Sequence, residues 1–75
     1  GIRVNALCPG YIETPLNSAF FATDAGQELI RRIPQRRLGR LADLDEPLRL
    51  LCSGTASYVT GAVLAVDGGH LISSL

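Results

Sequence analysis

The sequence predicts an α/β fold: the carboxyl-terminal part of a doubly wound parallel sheet, in the order strand, helices, strand, and incomplete alone. Three observations carry this. Residues 2–8, IRVNALC, are nearly continuously apolar, which suits a strand covered on both faces. Val63-Leu64-Ala65-Val66 has the same character. Between them lie long stretches with apolar residues at helical spacing, so the two strands are expected to form one right-handed βαβ unit. Two strands do not make a stable sheet by themselves, and each would leave an edge and a face open. The chain has no methionine, and its second residue already belongs to a strand. It therefore reads as the last piece of something longer.

In the first strand, 2–8, Ile2, Val4, Ala6 and Cys8 share one face, and Arg3, Asn5 and Leu7 the other. Pro9 has no N–H for a ladder bond and is expected to end the strand. Gly10 permits a turn with positive φ, or lets a ligand lie close to the backbone. Thr14 before Pro15 reads as a helix start: a capping hydroxyl, then the residue favoured at the first helical position. Residues 15–33 are expected to be two short helices. Leu16, Ala19, Phe20 and Phe21 form the apolar face of the first. Asp24 and Gln27 fit a capping box for the second, whose stripe is Leu29, Ile30 and Ile33. Pro34 stops it. The pair either covers the sheet or forms a lid over a pocket; periodicity alone favours plain cover.

Arg31, Arg32, Arg36, Arg37 and Arg40 crowd the connection that follows. A solvated face or an intersubunit salt-bridge site explains them better than a phosphate or nucleic-acid patch, since net charge is zero and no aromatics interleave. Leu41, Leu44, Leu48, Leu51 and Cys52 predict a helix over 42–53. Pro47 is tolerated if that helix begins near Asp43 or Asp45, and kinks it at a cost of about 3 kcal/mol if it begins at Leu41. Asp43, Asp45 and Glu46 suit its positive end, and Gly54 its termination. Tyr58 and Val59 are expected to plug the gap between helix and sheet, and Gly61 to mark a bulge or a close approach. After strand 63–66, Asp67-Gly68-Gly69 turns the chain out. The tail, 70–75, carries Leu71, Ile72 and Leu75, apolar enough to seek a neighbouring subunit.

Composition excludes several classes. Hydrophobic residues make up 47%, too many for a disordered chain. No apolar run is long enough to span a membrane, and no signal-peptide pattern opens the chain. Cys8 and Cys52 stand far apart, without metal-ligand spacing, and read as reduced, buried residues of a cytoplasmic protein. His70 with Asp67 and a serine suggests no hydrolase, because a Gly-x-Ser-x-Gly elbow is absent.

Two segments carry a family resemblance. IRVNALCPGYIETP is similar to the sixth-strand segment of the short-chain dehydrogenase/reductases. RRLGRLADLDEPLRLLCSGTASYVTGAVLAVDGG resembles their last helix, Tyr-Val-Thr-Gly turn and seventh strand. Two long segments in register are more specific than a lone glycine motif. The departures are Leu41 and Ala42, where the family usually has Pro and Glu, and Pro47, where a helix former is common. The resemblance implies a Rossmann-like domain with NAD or NADP as cofactor. It implies a small alcohol or carbonyl substrate and a homo-oligomer, dimer or tetramer, with no nucleic-acid or membrane partner.

It also implies a cofactor turn at 9–14. Pro9 and Gly10 would line the nicotinamide. The Ile12 backbone would hold its carboxamide, and the Thr14 hydroxyl would reach the carboxamide or the pyrophosphate. The family's glycine-rich motif and its catalytic serine, tyrosine and lysine lie upstream of the matching segment. No lysine follows Tyr11 or Tyr58, since the sequence has none. A tyrosine acid needs a nearby cation to lower its pKa, so no catalytic residue is assigned, and no metal ligand. The chain alone is expected to be inactive. The alternatives are a non-catalytic binding or structural remnant of the same fold, and, less favoured, a small arginine-patch nucleic-acid binder.

Overall fold

The computed structural model describes residues 1–72. Two strands, β1 (Ala6–Pro9) and β2 (Val63–Val66), pair in parallel, Ala6 with Val63 through Pro9 with Val66. Three helices lie between them: α1 (Ser18–Phe21), α2 (Asp24–Arg31) and α3 (Asp45–Cys52). Single 3₁₀ turns occupy Leu41–Leu44, Gly54–Ala56 and His70–Ile72. The class is α/β and the sheet is partial.

β1 is shorter than the expected 2–8 and starts later. Residues 3–5 are tied to the turn before β2 instead. Arg3 donates to the carbonyls of Leu51, Ser53 and Val59 at 3.0–3.2 Å. Asn5 donates to the Val59 carbonyl at 3.1 Å and accepts the Ala62 N–H at 3.0 Å. Gly61, at φ 72°, bends the partner chain away and gives its N–H to the Val4 carbonyl. Pro9 pairs as the last residue of β1. The amides of Ala6 and Gly10 bond toward β2, so by alternation the nitrogen of Pro9 faces the other edge, where a missing N–H breaks no bond.

The expected double cover of β1 is not there. Ile2, Val4, Ala6 and Cys8 are exposed, while Arg3, Asn5 and Leu7 are half-buried against α3 and its turn. Cys8 and Cys52 are free thiols, as expected, but both are exposed rather than buried, because nothing within the described residues packs on them. Among the described residues, only Phe21, Ile33 and Ala56 are buried apolar side chains.

Several local expectations are corrected. Residues 15–17 form a turn and α1 begins at Ser18, so Thr14 caps no helix; its carbonyl, not its hydroxyl, accepts from Asn17 and Ser18. In α1 the inward residue is Phe21, whereas Leu16 is exposed. α2 is capped by Thr23, whose hydroxyl accepts the Gly26 N–H, and Gln27 reaches back to the Phe21 carbonyl at 2.7 Å. α3 begins at Asp45, which leaves Pro47 in its first turn, where no intrahelical N–H is required. It ends in extended geometry at Ser53, not at Gly54, which opens the next 3₁₀ turn. Tyr58 is fully exposed and plugs nothing; Ala56 is the buried residue there. Gly61 has open space around it, so it supplies positive φ and not a close approach. In the tail, Leu71 and Ile72 are exposed, and Leu75 lies outside the described residues.

Candidate functional site

The residues singled out in the sequence lie in one continuous turn beyond the carboxyl end of β1, the position where open parallel sheets take ligands. Pro9 closes the strand. Gly10 does not have positive φ. Its N–H donates to the Val66 carbonyl at 3.0 Å, and a Cβ there would lie 2.6 Å from Cβ and 2.8 Å from Cα of Asp67. The close approach that requires glycine is therefore made by the protein's own second strand end, not left open for a ligand.

Ile12 forms an isolated parallel bridge with Gly39. Gly39 donates to the Tyr11 carbonyl at 2.9 Å, and Glu13 donates to the Gly39 carbonyl at 2.8 Å. In such a bridge the amide and carbonyl of the central residue point away from the partner strand. The Ile12 carbonyl is taken by Asn17 Nδ2 at 2.8 Å. Its N–H has no partner among the described residues. Thr14 is half-buried; its N–H is held by Asn17 Oδ1 at 2.8 Å, and its hydroxyl is uncommitted among the described residues. Asn17 thus clamps both ends of the Ile12–Thr14 segment. Sequence reasoning missed it, although an Asn three residues after a threonine in a Pro-containing turn is a recognisable side-chain-to-backbone pattern.

A cleft of about 340 Å³ lies beside the turn. Tyr11, Ile12 and the Asp67–Gly69 turn line it; Pro9, Gly10 and Thr14 do not. The turn is rigid because Asp67 accepts from the N–H groups of Gly69 and Leu71 at 2.9 and 3.0 Å, with Gly68 and Gly69 at φ 65° and 90°. The α1–α2 pair reaches this end of the sheet. The Tyr11 ring stacks obliquely between Phe21 and His70, with centroids 5.6 and 5.4 Å away. Just after α2, Gln35 donates to the Gly68 carbonyl at 3.0 Å. Below the bridge, Asp43 accepts the Arg40 N–H at 2.8 Å and the Arg37 guanidinium at 3.0 Å. The Arg40 amide first, and then Arg37, hold its carboxyl below the usual carboxylate range.

Of these residues, Ile12 and Thr14 keep hydrogen-bonding groups uncommitted among the described residues. An unpaired amide beside bare backbone suits a flat amide-bearing ring, and a nearby hydroxyl can serve as donor or acceptor. The helix-terminus argument for a phosphate does not hold, because α1 has only four residues and begins beyond Asn17.

A family model described as Enoyl-(Acyl carrier protein) reductase matches residues 1–70. A short-chain type dehydrogenase/reductase from Mycobacterium ulcerans superposes with a TM-score of 0.85 at 35% identity, over 95% of this chain and 26% of that one. The chain belongs to the short-chain dehydrogenase/reductase family. Among other members of that family, the cis-4-hydroxycyclohexanecarboxylate dehydrogenase of Sinomonas cyclohexanicum is 47% identical over 70 residues, 93% of this chain and 28% of that enzyme. A protein from Beutenbergia cavernae, described as an NAD(P)-dependent gluconate 5-dehydrogenase, was solved with NADP bound at low occupancy. It superposes with a TM-score of 0.87 at 47% identity, over 97% of this chain and 30% of that one. The chain thus spans under a third of the length of these family members. No helix among the described residues is long and apolar enough to cross a membrane.

Proposed function

We propose that this chain forms the nicotinamide side of an NAD(P) site in an oxidoreductase of the short-chain dehydrogenase/reductase family. The observation that carries the reading is the free N–H of Ile12. The Gly39 bridge fixes its direction, and the Asn17 clamp fixes its position. Pro9 and Gly10 flank the flat ring from the end of β1, beside the cleft that Tyr11, Ile12 and the Asp67–Gly69 turn line. The Ile12 N–H donates to the carboxamide oxygen and so sets which face of the ring meets the substrate. The Thr14 hydroxyl reaches the carboxamide or the pyrophosphate. When bound, the nicotinamide accepts or gives a hydride, exchanged with an alcohol or carbonyl substrate. The α1–α2 segment covers the substrate. It is held to the turn by the Tyr11–Phe21 contact and excludes water there.

The chain offers no Tyr-x-x-x-Lys, so the proton-transfer groups belong to other parts of the enzyme. Exposed Leu71 and Ile72 support a homo-oligomer built in part on the tail. The free thiols support a reducing, cytoplasmic location. The test is hydrogen exchange in the intact enzyme. NADP or NAD should slow exchange of the Ile12 amide, and Thr14→Ala should weaken cofactor binding about tenfold, near 1.4 kcal/mol. An Ile12 amide that exchanges equally fast with and without cofactor refutes the assignment.

A further inference from the structure

The Ile12 amide stands at the end of a hydrogen-bonded chain that begins at a charge. Arg37 Nη1 donates to the Leu38 carbonyl at 3.1 Å. The N–H of that same peptide group, on Gly39, donates to the Tyr11 carbonyl at 2.9 Å. The Tyr11–Ile12 peptide group in turn carries the Ile12 N–H, which has no partner among the described residues. In a trans peptide the C=O and the N–H point in opposite directions, so these bonds run head to tail. A guanidinium therefore heads a chain of two peptide groups, and the Ile12 N–H is its last donor. Each bond in such a chain strengthens the next by about 10–30%. The cation at the head makes the Ile12 N–H a stronger donor.

A second chain leaves the same ion pair from its anionic side. Asp43 Oδ2, 3.0 Å from Arg37 Nη1, accepts the Arg40 N–H at 2.8 Å. The carbonyl of that peptide group, on Gly39, accepts the Glu13 N–H at 2.8 Å. The Ile12 carbonyl, in the same peptide group as the Glu13 N–H, accepts Asn17 Nδ2 at 2.8 Å. The carboxylate so strengthens the hold of Asn17 on the turn, while the guanidinium acts on the free N–H. Arg37, Gly39 and Asp43 line the cleft of about 340 Å³ together with Tyr11 and Ile12. Arg37 is half-exposed, so water and salt screen its field through open space. The bonded path reaches Ile12 without crossing solvent.

We propose that Arg37 is a positioning residue for the nicotinamide, acting through the Leu38–Gly39 and Tyr11–Ile12 peptide groups to strengthen the Ile12 N–H, and that it thereby favours the reduced cofactor. This rests on the proposed contact between that N–H and the carboxamide oxygen. In a dihydronicotinamide the ring nitrogen feeds electrons into the carboxamide oxygen, whereas the oxidised pyridinium ring withdraws them. A stronger donor therefore gains more from the reduced form, and a hydrogen bond of this kind tunes the cofactor as well as holding it.

The test compares intact wild-type enzyme with R37Q and R36Q, with melting temperatures checked alongside. Glutamine keeps a neutral donor at position 37 and removes the charge. Arg36 has no place in either chain, so R36Q controls for net charge. Oxidised and reduced cofactor, NADP or NAD, are titrated calorimetrically. R37Q is expected to weaken binding of the reduced form about fivefold and of the oxidised form by about twofold at most. R36Q is expected to leave the ratio of the two affinities unchanged. In the cofactor-free enzyme the Ile12 amide proton resonance should move upfield in R37Q and stay in place in R36Q. Equal weakening of both cofactor forms, the same change of ratio in R36Q, or an unmoved Ile12 resonance in R37Q overturns the proposal. Protection of the Ile12 amide by cofactor in the wild type tests the underlying contact. The resonance shift is read without cofactor, so the two readings can fail independently.

Discussion

Arg3 is the residue on which most of the local architecture converges. Its guanidinium closes the carboxyl end of α3 through Leu51 and Ser53 and anchors the turn at Val59, so one side chain ties the segment leading into β1 to the helix and to the approach of the second strand. Hydrogen bonds to a charged donor are the stronger kind. Arg3→Ala is expected to destabilise the intact enzyme by about 2–3 kcal/mol, seen as a lower urea midpoint with an unchanged slope. Arg3→Lys should recover part of that loss, since an ammonium reaches fewer carbonyls at once. The sequence flagged Arg3 and Asn5 as polar interruptions in need of partners. It could not name the partners, because the bonds join residues about fifty positions apart. The same limit hid the role of Gly10: a glycine after a proline advertises freedom of φ, and only the packing against Asp67 shows that space was the constraint.

At the scale of elements, helices with strong periodicity were legible and their ends were not. α3 lies within the expected 42–53. It follows directly on the 3₁₀ turn Leu41–Leu44, whose beginning Asp43 caps by accepting the Arg40 amide. Because Pro47 stands in the first turn of α3, Pro47→Ala should change stability by no more than about 0.5 kcal/mol. A gain near the roughly 3 kcal/mol cost of an internal proline would place the helix start earlier. Asp43 also makes a pH prediction. Its carboxyl is depressed in the folded chain, so the unfolded chain takes up the proton first as pH falls. Its stabilising contribution is complete above the ordinary carboxylate range of about 4. It is lost as pH drops through the lower folded value. Urea midpoints of wild type and Asp43→Asn should therefore differ near neutrality and converge in acid.

The whole chain is too open to be a finished domain. Its radius of gyration is 14.6 Å, where a compact chain of this length would have about 11 Å. It exposes 5544 Å², against about 4,450 Å² for a compact monomer of its mass. Two short strands, with Ala6 of β1 and Ile2 and Val4 of the segment before it left bare, do not close a core. The apolar pattern in the sequence announced a need for cover on both sides; burial within 75 residues could not supply it. Purified by itself, the 75-residue chain should bind a dye such as ANS, melt without a cooperative transition, and show no dehydrogenase turnover. Cooperative melting, or any turnover with NAD(P) and an alcohol, would contradict this.

The clearance at Gly10 has a consequence for how such a chain can change over generations. Part of the obstruction that a methyl group would meet at position 10 comes from the backbone carbon of Asp67, not only from its side chain. No exchange at position 67, even to glycine, removes that atom. A library that randomises both positions should therefore return glycine at the first regardless of what occupies the second, and a lineage that lost it would have to shift an entire strand end to recover.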